Sequence, residues 1–272
     1  MSEFIRCGRV NHMNMVLENF DKSLAHFGKL YGADLLMDIP RREMHACLID
    51  IGRVIFEIFV PHEFLLNARY GTHFLGVEYQ ANMKQVRDVV AAHGLRIIRD
   101  IGEALHTHPA DCFGIAFEFY DGEFHDRSYD TLGRRMHPAG YWRDEHPLGM
   151  TGLIGYSVAV FDIDAARHFF QSFLGAEVIY ESPRSAIGGR AIGLQVADGQ
   201  VELITPEGDG EVQRYLHRYG EGIRSTVFGV RDIAQAQRYF AERGVDLAAS
   251  GRPNAIAVPA EGNLGVIFEF VA

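Results

Sequence analysis

The feature that most constrains this chain is a segment that occurs in it twice. NFDKSLAHFGKLYGADLL (19–36) and DIDAARHFFQSFLGAEVI (162–179) share one pattern 143 residues apart. Asp21 matches Asp164, Phe27 matches Phe170, and Gly32-Ala33 matches Gly175-Ala176. Each copy opens on an Asn or Asp that can cap a helix. Apolar residues then recur at helical spacing, as at Leu24, Phe27 and Tyr31, and Gly32 supplies the left-handed position that ends the turn. A repeated helix-to-strand unit means that the fold is built from copies of one motif.

The flanks define that motif. An apolar strand precedes each helix, at Val10–Leu17 and at Ile154–Phe161, and three short strands follow the first helix at roughly 33–39, 44–51 and 53–60. The unit is βαβββ. A related unit starts at THFLGVEY (72–79), with a helix near 82–93 that ends at Gly94 and a last strand GIAFEFY (114–120). A further one starts at RSTVFGV (224–230), with a helix ending at Gly244 and a last strand GVIFEFV (265–271). The expectation is an α+β fold of four βαβββ units in two domains, 1–120 and 150–272. The polar, Gly/Pro-punctuated stretch 121–149 reads as a linker.

Composition narrows the partners. A length of 272 residues suits two domains of about 130 residues each. A formal net charge of -10 disfavours nucleic acid and anionic membranes. Cys7, Cys47 and Cys112 show no CxxC spacing and read as free thiols. The N-terminal MSEFIRCGRV lacks an apolar signal core, and no apolar run reaches the length of a membrane span, so a cytoplasmic location is expected. A small-molecule substrate is the expected partner, and the chain is open to pairing as a homodimer.

The repeat exposes four chemical positions. His12 and Glu57 lie 45 residues apart in the first unit; His73 and Glu118 lie 45 apart in the second. One shift of 61 residues relates both pairs. A single strand histidine is ordinarily a core or surface residue, and a single strand glutamate ordinarily faces outward. Recurrence at one spacing argues otherwise. Glu57 stands inside VIFEIFV and Glu118 inside IAFEF, where a carboxylate costs several kcal/mol unless a cation or hydrogen bonds compensate it. Imidazoles and carboxylates together suit one divalent ion of Fe, Mn, Co, Ni or Zn, so the expected ligands are His12, Glu57, His73 and Glu118. In the second domain the same registers put Gly155 and Thr226 at the histidine positions and keep Glu202 and Glu269. That domain reads as metal-free.

The motifs VNHMNM, VIFEIFVP, GTHFLGVEY and FEF at Glu118 resemble the vicinal oxygen chelate superfamily, which spans glyoxalase, bleomycin resistance and extradiol dioxygenase proteins. The resemblance covers essentially the whole chain. It implies paired βαβββ units forming two open barrels, with ligands on the first and last strand of each unit. An acid at Glu57 is similar to glyoxalase I, and HPADCFGIAFEF (108–119) resembles the last hairpin of methylmalonyl-CoA epimerases. The implied activity is that of a lyase or isomerase. The metal would chelate vicinal substrate oxygens, and Glu118 or Glu57 would take a proton from carbon beside a carbonyl. The alternatives are an Fe(II)-dependent extradiol-type ring-cleaving dioxygenase using two His and one carboxylate, and a non-catalytic ligand-binding protein. His45 and His108 are candidate proton-relay groups, and Arg41-Arg42 a candidate hold for an anionic tail.

Overall fold

A computed structural model describes residues 4–40, 44–61, 71–125, 128–129 and 134–272. The first module runs β1 (Cys7–Val16), α1 (Phe20–Tyr31), β2 (Asp34–Pro40), β3 (Met44–Ile51) and β4 (Val54–Pro61). The second runs β5 (His73–Ala81), α2 (Met83–Ala92), β6 (Ile97–Asp100), β7 (Ala104–Thr107) and β8 (Ala116–Tyr120). The third comprises β9 (Met150–Ala159), α3 (Ile163–Leu174), β10 (Glu177–Arg184), β11 (Gly189–Val196) and β12 (Gly199–Pro206). An unanticipated helix, α4 (Glu211–Tyr219), then buries Val212 and Leu216. The fourth module has β13 (Gly222–Val230), α5 (Ile233–Ala241), β14 (Ala255–Val258) and β15 (Ile267–Val271). Its remaining strand is reduced to a bridge between Ala248 and Ala257.

The helix boundaries follow from the residues read in the sequence. The Asn19 side chain accepts a hydrogen bond from the Lys22 N–H at 2.9 Å, and Asp162 caps α3 in the same way. Gly32 and Gly175 end the two helices at φ 69° and 64°, the left-handed region that glycine enters at no steric cost. The strands form two mixed, open sheets, ordered β2-β3-β4-β1-β5-β8-β7-β6 and β10-β11-β12-β9-β13-β15-β14. Within each module the first and last strands pair in parallel and the others antiparallel. The α+β architecture of repeated modules and open sheets is as the sequence indicated. No helix among the described residues is long and apolar enough to cross a membrane.

Two compact units divide the chain differently from the sheets. One contains Met1–His12, Leu75–Phe124 and Gly155–Arg224; the other contains Met13–Phe74, His125–Ile154 and Ser225–Ala272. In the first unit, Phe170 and Phe173 of α3 pack edge-on against Phe117 and Phe119 of β8, with ring centroids 5.7–5.9 Å apart. In the second, Phe27 of α1 stacks on Phe268 of β15, and Tyr31 stacks on Phe270 and donates to Asn263 Oδ1 at 2.7 Å. These aromatic layers bury large apolar areas and contribute to the cohesion of each core.

Part of the stretch read as a linker is anchored in the second unit. Tyr141–Glu145 forms a short helical turn that buries Trp142 completely, and the Trp142 indole N–H donates to Asp50 at 3.3 Å. Asp50 sits near the end of β3 with no solvent exposure. Burial pushes its carboxyl from the ordinary 3.8 up to about 7, against the lowering pull of Trp142 and of the Arg53 backbone N–H. Between those two values the folded chain holds a proton that the unfolded chain has lost, so stability falls as pH rises through that window. The urea midpoint of the wild type should therefore drop between pH 5 and pH 8, and Asp50→Asn should lose less of it. Equal losses in both proteins would show that Asp50 ionises at its ordinary pH.

Candidate metal centre

The strand registers align the modules more finely than the sequence does. On the parallel first–last strand pairs, Asn14 faces Glu57, Glu78 faces Glu118, Ser157 faces Glu202 and Val227 faces Glu269. Two residues earlier on the first strands stand His12, Gly76, Gly155 and Ser225. The position equivalent to His12 in the second module is thus Gly76, and His73 lies three residues before it. The 61-residue shift that relates the last strands does not carry over to the first strands. Gly76 and Gly155 occupy the first paired rung of their modules, where an added Cβ would lie 1.8 Å and 1.9 Å from a partner-strand carbonyl. In the first module pairing starts at Met13, one residue later, which leaves His12 room for a side chain.

A buried cluster forms where the first unit brings together β1, β5 and β8. His12, Glu78 and Glu118 each offer a ligand atom, and these atoms all lie within 4.8 Å of one another. His12 Nε2 is 3.3 Å from Glu78 Oε2. The Asn11 amide donates to Glu78 Oε1 at 2.9 Å, while its own Oδ1 is buried with no hydrogen-bond partner. His106 on β7 reaches Glu118 Oε1 from Nε2 at 2.8 Å. All four of His12, Glu78, His106 and Glu118 are under 9% exposed. Burial pushes the Glu78 carboxyl up; the His12 ring opposes this, and the adjacent Glu118 adds to it.

Of the residues expected from sequence, the structure brings His12 and Glu118 into this cluster. Glu57 and His73 belong to the second unit. Glu57 is buried mid-strand on β4, across from Asn14 and Leu48. His73 opens β5, with Nδ1 2.9 Å from the Gly71 carbonyl. His45 shares its face of β3 with Cys47, whereas Glu57 sits across from Leu48, so His45 points to the other side of the sheet. There it pairs with Asp38 at 2.5 Å beside a cavity of about 430 Å³ lined by Phe20, Leu24 and Cys47. His108 caps the turn that follows β7 through the Ala110 N–H. Arg41-Arg42 lies outside the described residues. Sequence reasoning missed Glu78, Asn11 and His106. The signal for Glu78 was a carboxylate inside the apolar strand HFLGVEYQA (73–81), the same argument that singled out Glu118.

The other two last-strand glutamates show a different solution. Glu202 is paired with the buried Arg184 through Nε and Nη2 and accepts from Tyr180 at 2.6 Å. Glu269 accepts from Ser225 at 2.5 Å and from Arg252 at 3.3 Å. A guanidinium supplies the positive charge in each case.

The donor set of the cluster fits a divalent cation. One imidazole, two carboxylates and a buried amide oxygen without a partner are ligands that such ions accept. The comparisons with known proteins agree on the frame. Residues 152–251 match the model of the Glyoxalase/Bleomycin resistance protein/Dioxygenase superfamily. The chain is similar over 97% of its length to a triple mutant of 4-hydroxymandelate synthase from Streptomyces coelicolor, covering 92% of that chain at 13% identity and a TM-score of 0.75. It is similar over 98% of its length to the Mn(II)-bound glyoxalase from Novosphingobium aromaticivorans, covering 82% of that chain at 11% identity and a TM-score of 0.64. Over 45% of its length it is similar to methylmalonyl-CoA epimerase from Mycobacterium tuberculosis, covering 87% of that chain at 26% identity and a TM-score of 0.42. No curated protein matches the sequence. The superfamily whose model matches residues 152–251 is the one that the motifs around His12 and Glu118, in the other half of the chain, resemble.

The arginine pairing yields a test of how the fold carries its buried acids. Arg184→Met should leave Glu202 buried without its cation and cost about 3–5 kcal/mol. The double variant Arg184→Met/Glu202→Leu should recover most of that loss in urea unfolding. A single variant as stable as the wild type would show that Glu202 does not depend on Arg184.

Proposed function

We propose that the protein is a divalent-metal-dependent lyase or isomerase that removes a proton from carbon next to a carbonyl of a small substrate with vicinal oxygens. The observation that supports this most is the convergence of His12, Glu78 and Glu118, one imidazole and two carboxylates, in a buried cluster. An iron site for oxygen activation is ordinarily built from two imidazoles and one carboxylate, and the cluster inverts that ratio. His12, Glu78 and Glu118 would hold the ion. Glu57, which stands opposite the first strand of its module as Glu118 does, is a further proposed ligand. His73 is the remaining expected ligand, and the strand register favours Glu78 in its place.

A bound divalent ion would polarise two adjacent substrate oxygens. The chain's own residues do the rest. Glu118 or Glu57 accepts the proton. The apolar strands around both acids exclude bulk water, which strengthens every electrostatic contact with the developing negative charge.

Metal content and affinity test the site. The full chain should bind about one equivalent of Mn(II) or Co(II), and His12→Ala, Glu78→Gln and Glu118→Gln should each weaken binding by more than the roughly 10–100-fold that loss of a group supporting a ligand costs. Unchanged affinity in His73→Ala supports Glu78 as the ligand from β5, whereas loss in His73→Ala with no loss in Glu78→Gln restores His73. Reaction class is tested separately in D2O under argon, with α-hydroxyketones, hemithioacetals and acyl thioesters as probes. Deuterium entering the carbon next to the carbonyl supports the lyase or isomerase. Turnover that consumes oxygen stoichiometrically assigns a dioxygenase instead.

A further inference from the structure

The modules permit a comparison that isolates one residue. On the strand that runs antiparallel to each last strand, a single position lies directly across from the buried glutamate. It is Leu48 across from Glu57, His106 across from Glu118, Gly193 across from Glu202, and Ala257 across from Glu269. Three of the four copies of this fold accept an aliphatic side chain or none there. The architecture therefore does not require a polar group at this rung, yet the second module buries an imidazole in it. Where the rung is Gly193 or Ala257, an arginine engages the glutamate. Where it is His106, the glutamate belongs to the His12–Glu78–Glu118 cluster.

We infer that His106 is a positioning residue that orients Glu118 toward a cation in that cluster; this rests on the metal reading proposed above. His106 Nε2 lies 2.8 Å from Glu118 Oε1, a contact that restrains the torsion of the carboxylate. Two features make the donor rigid. Both strands of the hairpin are buried, and Thr107, the next residue on β7, accepts the Phe117 N–H at 3.1 Å through its hydroxyl. The turn that follows is capped by His108. A ligand held from a rigid neighbouring strand loses little entropy when the ion binds, and an unheld glutamate would have to be ordered at that moment.

The test is titration of Mn(II) and Co(II) into the metal-free full chain, with the melting temperature of each metal-free variant recorded alongside. His106→Leu and His106→Ala, which copy the first and fourth modules, should fold and should bind each metal about 10–100-fold more weakly. His106→Gln, whose amide N–H can take the place of Nε2, should recover most of that loss. A structural role would lower the melting temperature without this pattern of loss and rescue. His106→Leu binding as tightly as the wild type overturns the inference, and so does failure of both the Leu and Ala variants to fold. Failure of the metal reading itself looks different: wild type and Glu118→Gln would then bind alike, or neither would bind.

Discussion

Everything distinctive in this molecule follows from placing one carboxylate on the last strand of every module, inside an apolar sheet. Glu57, Glu118, Glu202 and Glu269 all lie at 9% exposure or below. An ionised group in that environment costs several kcal/mol unless positive charge or hydrogen bonds reach it. Two of the modules meet this demand internally. Arg184 and Arg252 supply fixed guanidinium groups, and those acids become part of the fold's own electrostatics. Around Glu118 stand instead His106 and a second buried acid, Glu78, from the second module and His12 from the first. Glu78 beside Glu118 puts two acids into one buried cluster, and burial together with the neighbouring carboxylate pushes the Glu78 carboxyl up.

The fold was legible because its determinants are local. Asn19 and Asp162 cap helices, Gly32 and Gly175 end them, and apolar periodicity marks the strands, so each module could be read from its own residues. His12 and Glu118 were legible for a related reason: each sits in a short motif that resembles a known superfamily. The β5 side of the site was harder. Whether a strand residue faces inward depends on pairing register, and a shift of one residue moves a side chain to the opposite face. THFLGVEY carries both His73 and Glu78, and only the rung that Glu78 shares with Glu118 shows which of them joins the cluster. His106 carried no periodic signal, since its meaning lies wholly in the residue across from it.

The modules also show how a duplicated fold specialises with few changes. At the position two residues before the facing rung, a histidine in the first module becomes glycine in the second and third and serine in the fourth. Gly76 and Gly155 also shape the strand pairing. The carbonyls of Ala116 and Gln200 approach so closely that no side chain fits, so a histidine could return there only if the first rung of pairing were opened.

The first strand belongs to both packing units: residues up to His12 count with one and Met13 onward with the other. The consequence concerns the chain as an inheritable and divisible object. A cut in 121–149 looks like the natural place to separate two domains, but each resulting fragment would carry an incomplete share of both hydrophobic cores. The aromatic layer of α3 on β8 would be parted, and so would that of α1 on β15. Neither fragment could complete a core alone, whereas the two together hold every missing half. Selection would therefore preserve the halves as one gene, and recombination that exchanged a single half would be tolerated only where the new aromatic faces matched the old.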